Sequence, residues 1–163
     1  MGALNGQAGA AHGDLIPEFC RVVAEAQPAW FLMENVKAAT LPVVDGYIVR
    51  HVLLDNRWVG GEQKRVRRFS FGTPDGRELV PEVVALEPLR AVPTVVAGHG
   101  AAPSQRDRGF DYSLEDMCEW QGLPRDFAAE LPFTRHGKRK VIGNAVPLPL
   151  GRAVARAVAL NSA

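Results

Sequence analysis

Apolar residues recur at helical spacing at Leu15, Phe19, Val22, Val23 and Ala26, which predicts an amphipathic helix over residues 14–27. Asp14 stands where it can cap the first turn, and Pro17 falls where a missing N–H is tolerated. Pro28 closes the element. Ala29–Met33 is a continuous apolar run, the pattern of a strand covered on both faces. A helix leading into such a strand is half of a βαβ unit. Residues 47–54 and 65–71 are β-rich and predict two further strands.

Beyond the strands the pattern weakens. Residues 72–76, Gly-Thr-Pro-Asp-Gly, are turn chemistry, and Asp75-Gly76 suits a hairpin. Residues 77–111 are rich in Pro and Gly, with one plausible strand at Thr94–Ala97. Ser113 and Asp116 have capping-box spacing and open a short helix whose face is Leu114, Met117, Cys118 and Gln121. Gly122 and Pro124 end it. A last helix is predicted over residues 149–160, with Leu150, Val154 and Val158 on one stripe.

A chain of 163 residues, 47% hydrophobic and 23% charged, has the composition of a water-soluble domain. No apolar run reaches the length of a membrane span, and residues 1–13 lack the basic and apolar regions of a secretory signal. No membrane partner is expected. The two cysteines, Cys20 and Cys118, lie in helical patterns without metal-ligand spacing and read as reduced packing residues of a cytoplasmic protein. His12, His51, His99 and His136 are scattered, which argues against a metal-dependent hydrolase. The net charge of +1 does not advertise nucleic-acid binding, but residues 64–68 and 135–140 are local basic clusters. Either cluster alone also reads as a solvated surface.

Four short motifs carry candidate chemistry. Glu34 sits at the end of an apolar strand, where ligands bind in open α/β sheets. A carboxyl group partly desolvated there favours its protonated form and can neutralise charge developing on a ring nitrogen. The residue equally reads as a polar cap. Gln63, Arg65 and Arg67 alternate, so on a strand they share one face, while Lys64, Val66 and Arg68 take the other. Two guanidiniums on one face suit a base carbonyl or a phosphate, and equally a soluble edge strand. Residues 120–124, Trp-Gln-Gly-Leu-Pro, read as packing at a helix end. Residues 143–147, Gly-Asn-Ala-Val-Pro, read as a tight turn before a helix, whose asparagine can present an amide to a ligand.

Taken in order, Glu-Asn-Val, Gln-x-Arg-x-Arg, Gln-Gly-Leu-Pro and Gly-Asn-x-Val-Pro resemble motifs VI, VIII, IX and X of the DNA (cytosine-5) methyltransferases. The resemblance runs from about Asp14 to the C-terminus. It implies an α/β fold, an incomplete S-adenosylmethionine-dependent (Rossmann-like) methyltransferase fold with a short recognition segment. It implies that residues 1–72 belong to the catalytic domain, 73–111 form a target-recognition-like segment, and 112–163 return to the catalytic domain. By the same resemblance, Glu34 contacts N3 and the exocyclic amine of a flipped cytosine, and Arg67 contacts the base oxygen. Arg65 braces the catalytic loop, and Asn144 and Ala145 close over S-adenosyl-L-methionine.

The sequence departs from the family pattern in two places that bear on competence. Neither cysteine follows a proline, so neither carries over as the family's Pro-Cys nucleophile; Cys20 is preceded by Phe19. No glycine-rich strand–loop–helix element is evident, and Gly98-His99-Gly100 is a weak substitute. Glu62 also stands where the family often has proline, and residues 72–111 are short for reading a DNA sequence. A truncated or split enzyme is therefore expected, inactive alone, with DNA as substrate and a complementary N-terminal methyltransferase polypeptide as partner. The alternative is a non-enzymatic DNA-binding remnant of such an enzyme.

Overall fold

The computed structural model describes residues 14–84, 92–97 and 112–161. The first helix, α1 (Ile16–Ala26), starts two residues after Asp14, whose Oδ1 accepts the Ile16 N–H at 3.0 Å. Pro17 lies in its first turn. Gln27 ends it in the left-handed region at φ 44°, its N–H returning to the Val23 carbonyl at 2.9 Å. Three strands follow: β1 (Phe31–Asn35), β2 (Ile48–Asp55) and β3 (Val66–Thr73). They form one sheet in the order β1-β3-β2, with β1 antiparallel to β3. A short 3-10 helix (Asn56–Val59) links β2 to β3, and three α-helices complete the described chain: α2 (Leu114–Trp120), α3 (Arg135–Asn144) and α4 (Leu148–Asn161). The result is a mixed α/β arrangement with a small sheet. No described helix is long and apolar enough to cross a membrane.

The chain divides into two compact units. Residues up to Val52, with Arg68–Leu79, make the first; Leu53–Arg67 and the described residues from Val80 onward make the second. The division falls within β2 and β3.

In the first unit Val23, Phe31 and Val44 form the core, with Phe19, Cys20, Tyr47 and Val49 packed around them. The Phe31 ring meets Phe19 edge-on, at a centroid distance of 5.6 Å, and lies 5.3 Å from Tyr47. The Tyr47 hydroxyl donates to the Pro28 carbonyl at 2.5 Å and pins the entry to β1. Register sets Phe31 opposite Gly72, and a Cβ built on Gly72 would lie 2.2 Å from the ring. The ring is buried between two aromatic neighbours, so it cannot swing away. Gly72→Ala should therefore lower the unfolding free energy by about 1.5 kcal/mol. A shift of the Trp30 fluorescence transition in urea checks this, since the Trp30 ring lies 6.0 Å from Phe71, tilted by 41°.

In the second unit Val95, Tyr112, Met117, Cys118, Ala128 and Ile142 form the core. The capping box predicted at Ser113 is present: Ser113 Oγ accepts the Asp116 N–H at 3.1 Å and Asp116 accepts the Ser113 N–H at 2.9 Å. Gly122 leaves α2 at φ +77°. The buried face of α2 carries Met117 and Cys118 as expected, and packs on α3. Leu150, Val154, Ala157 and Val158 are the buried stripe of α4.

Several expectations are corrected. Thr94–Ala97 is not a strand; a single parallel bridge joins Gln63 to Val92 instead. The backbone there is satisfied by side chains, since Val95 N–H donates to Gln63 Oε1 and its carbonyl accepts from Arg65. Asp75-Gly76 makes a turn, with Gly76 at φ +73°, but no strand follows it in residues 77–84, so no hairpin closes there. The tight turn expected at Gly143-Asn144 is the last turn of α3, a helix the apolar pattern does not announce. Its buried residues are Arg139, Ile142 and Gly143, two of which are not apolar side chains at all. The expectations resting on Gly98-His99-Gly100, and on most of the recognition-like segment, lie outside the described residues.

Candidate functional site

Glu34 is half-buried on β1 in the first unit, and register places it opposite Phe69 of β3. Asn35 follows it, its Oδ1 accepting the Val36 N–H at 2.8 Å, so the strand ends in a side-chain-capped turn. Arg68 faces the loop after β1 and donates to the Ala39 carbonyl at 2.5 Å. Arg67, its neighbour on β3, points the opposite way, as alternation requires, and donates to the Val66 carbonyl at 2.9 Å.

In the second unit, to which Arg67 also belongs, the side chains of Gln63, Arg65 and Gln121 meet in one buried polar network. Gln63 is fully buried, Gln121 is 1% exposed and Arg65 4% exposed. Gln63 Nε2 donates to Gln121 Oε1 and to the Trp120 carbonyl, both at 2.8 Å. Gln121 Nε2 donates to the Ile142 carbonyl at 2.6 Å and the Ala145 carbonyl at 3.4 Å. The Arg65 guanidinium donates to the carbonyls of Val95 at 2.7 Å, Gly143 at 3.0 Å and Ala145 at 3.2 Å. A buried guanidinium aimed at several carbonyls satisfies them together, which a point-charge lysine does not. Arg65 is thus placed with Ala145, while Asn144 beside it is exposed at the end of α3.

This arrangement differs from the ligand-facing strand that alternation suggested. Gln63 and Arg65 do share a face with each other, but that face is internal. Only Arg67 of the three is half-exposed. Gln121 was legible as packing, yet its polar role was not, because nothing in a single glutamine tells which carbonyls it will reach. Arg139 is a second internal cation drawn from a cluster that read as surface. It donates to the Tyr112 carbonyl at 3.2 Å and touches Met117 Sδ at 3.5 Å.

Asp55 closes the edge of the network. Its Oδ1 accepts the backbone N–H groups of Arg57 at 3.1 Å and Arg65 at 3.3 Å, and Oδ2 pairs with the Arg57 guanidinium at 2.8 Å. Burial alone would raise this carboxyl, but the Arg57 side chain, these two N–H donors and the Arg57 charge together hold it below its ordinary value. It therefore stays ionised and fixes the residue before the network.

The two cysteines lie in different packing environments. Cys20 packs against the first core from α1, and Cys118 is fully buried in α2, where burial pushes its thiol up and disfavours the thiolate. Among the described residues no group of three or more His, Cys, Asp or Glu can hold a metal ion. A hollow in the second unit lies between Val80–Glu82 and the Arg156, Ala157 and Leu160 face of α4; none of the predicted site residues lines it.

Asn144 offers an exposed carboxamide, and the backbone at Ala145 is held rigid by Arg65 and Gln121.

Comparison with known proteins bears on the first part of the chain. Residues 1–95 match the family model of the C-5 cytosine-specific DNA methylases. The Type II methyltransferase M.HgiDI of Herpetosiphon aurantiacus is 33% identical over a stretch covering 42% of this chain and 25% of that protein. The aligned stretch thus represents about a quarter of the relative's length. Glu34, Gln63, Arg65 and Arg67 lie inside the family match; Gln121, Asn144 and Ala145 lie beyond it.

Proposed function

Because the chain belongs to the C-5 cytosine-specific DNA methylase family, we propose that it serves the transfer of a methyl group from S-adenosyl-L-methionine to C5 of cytosine in DNA. In this reading it supplies the groups that hold the flipped base and part of the cofactor lid. The thiolate nucleophile and the glycine loop come from a complementary N-terminal polypeptide, so these residues alone form a split, incompetent enzyme. S-adenosylmethionine supplies the methyl group when bound, and Asn144 and Ala145 would close over it.

Attack of a thiolate at C6 pushes negative charge onto N3 of the pyrimidine. Glu34 holds a proton at N3 and offsets that charge as it forms, which lowers the barrier only in the transition state. Arg67 donates to the base oxygen O2 and fixes the ring in plane. Arg65 acts from behind, holding the segment that enters β3. The observation that carries the reading is the buried network. It ties matched residues Gln63 and Arg65 to Gln121 and Ala145, so motifs far apart in sequence support one another.

The test is tritiated methyl incorporation into cytosine-containing DNA, with the chain alone and mixed with the upstream half of a related methylase carrying Pro-Cys-Gln. The chain alone should give background counts and the mixture turnover. In the mixture Glu34→Gln should lower the rate on the order of 10²-fold. Methyl transfer by the chain alone, or an unchanged rate with Glu34→Gln, would overturn the reading. The exposed side chains of Lys64, Arg135 and Lys140 favour one second reading, a DNA-binding remnant without chemistry. Salt-sensitive DNA binding, with no turnover in any mixture, would select it.

A further inference from the structure

The orientations of the two buried carboxamides are not interchangeable. The Val95 N–H can only donate, so the Gln63 oxygen must face it, at 3.1 Å. Gln63 Nε2 is then directed at the Trp120 carbonyl and at Gln121 Oε1. That leaves Gln121 Nε2 for the carbonyls of Ile142 and Ala145. The direction of every bond is therefore set by backbone groups at the two ends. Arg65 runs a parallel link from the same segment to Gly143 and Ala145. The Gln121 carbonyl also accepts the Leu148 N–H at 2.8 Å, so the first turn of α4 is held by the same residue.

Two buried amides give little net stability that an apolar pair of equal shape would not match. What they add is direction: they allow one relative placement of the strand entry and the helix end. We propose that Gln121, clamped by Gln63, is a positioning residue that makes the segment carrying Arg67 and the turn carrying Asn144 and Ala145 move as one body. Occupation of Arg67 by a cytosine then stiffens the Asn144–Ala145 lid, and closure of the lid on an adenosyl ligand favours base binding to the same extent. This inference rests on the roles proposed above for Arg67 and Asn144.

Backbone amide exchange on the full 163-residue chain tests it without methyl transfer. Gln121→Met keeps the bulk and removes the bonds. It should speed exchange at Ala145, which loses the Gln121 side-chain bond on its carbonyl, roughly tenfold, while the β1 amides of the first unit keep their rates. If this variant does not fold, Gln121→Asn, which keeps the amide but shortens its reach, gives the same comparison. The second readout adds a single-stranded oligonucleotide containing cytosine. In the parent chain it should slow exchange at Ala145; in the Gln121 variant it should still protect the amides flanking Arg67 but leave Ala145 unchanged. Unaltered exchange at Ala145 in a folded variant would overturn the proposal, as would oligonucleotide protection near Arg67 that never reaches Ala145 in the parent. An oligonucleotide protecting no amide overturns the assignment of Arg67 to the base, and the relay is then decided by the first readout.

Discussion

Arg65→Ala should lower the unfolding free energy of the second unit by about 4 kcal/mol, the largest effect expected of any single change here. Three carbonyls lose a charged donor at once. The Ala145 carbonyl keeps a long bond from Gln121, but those of Val95 and Gly143 lose the guanidinium inside a core where Val95 is fully buried. Hydrogen bonds to a charged group contribute about 1.5–3 kcal/mol each, and three from one planar group do not add in full. The vacated space contributes a cavity term as well. Arg65→Lys should recover only part of the loss, because a single ammonium cannot span three diverging carbonyls. Urea unfolding followed through Trp120, which lies in the second unit, measures this; a loss below about 1 kcal/mol would mean that the network is not what holds the unit together.

Gly143→Ala should cost about 3 kcal/mol, although alanine is the better helix former by about 1 kcal/mol. The added Cβ would lie 2.4 Å from the Ala97 nitrogen and from the Val96 carbonyl carbon. These are backbone atoms, and the preceding residue is clamped on both its N–H and its carbonyl by Gln63 and Arg65. Neither side can retreat, so overlap outweighs propensity. The comparison that isolates the cause is Gly151→Ala on α4, where a Cβ meets nothing within 4 Å. Thermal unfolding should show a lower midpoint for Gly143→Ala and an unchanged or higher one for Gly151→Ala. Equal behaviour of the two would remove the close approach as the reason for Gly143.

These two residues also show how far sequence reading extends. The apolar periodicities of α1 and α4 and the capping box of α2 are local, since each depends on residues within one or two turns. They were legible for that reason. The same holds for β1, β2 and β3, whose ends differ from expectation by one or two residues. Helix α3 was not legible because its buried positions are filled by Arg139, Ile142 and Gly143: a guanidinium bonded to a carbonyl and a glycine admitting a backbone leave no apolar stripe. Thr94–Ala97 had strand composition but no partner strand, and side chains took the bonds a ladder would have made.

Spacing alone put Gln63 and Arg65 on one face, opposite to Lys64; that much follows from the two-residue repeat of extended backbone. Whether the shared face met solvent, a ligand or the interior depended on groups distant in sequence, the carbonyls of Val95, Gly143 and Ala145 and the amide of Gln121. Family membership likewise was written in short motifs, because motif residues need only their neighbours to be recognised. Only the folded chain decided that a charged and two polar side chains would be buried, since the donors and acceptors that make such burial tolerable converge only in the folded chain.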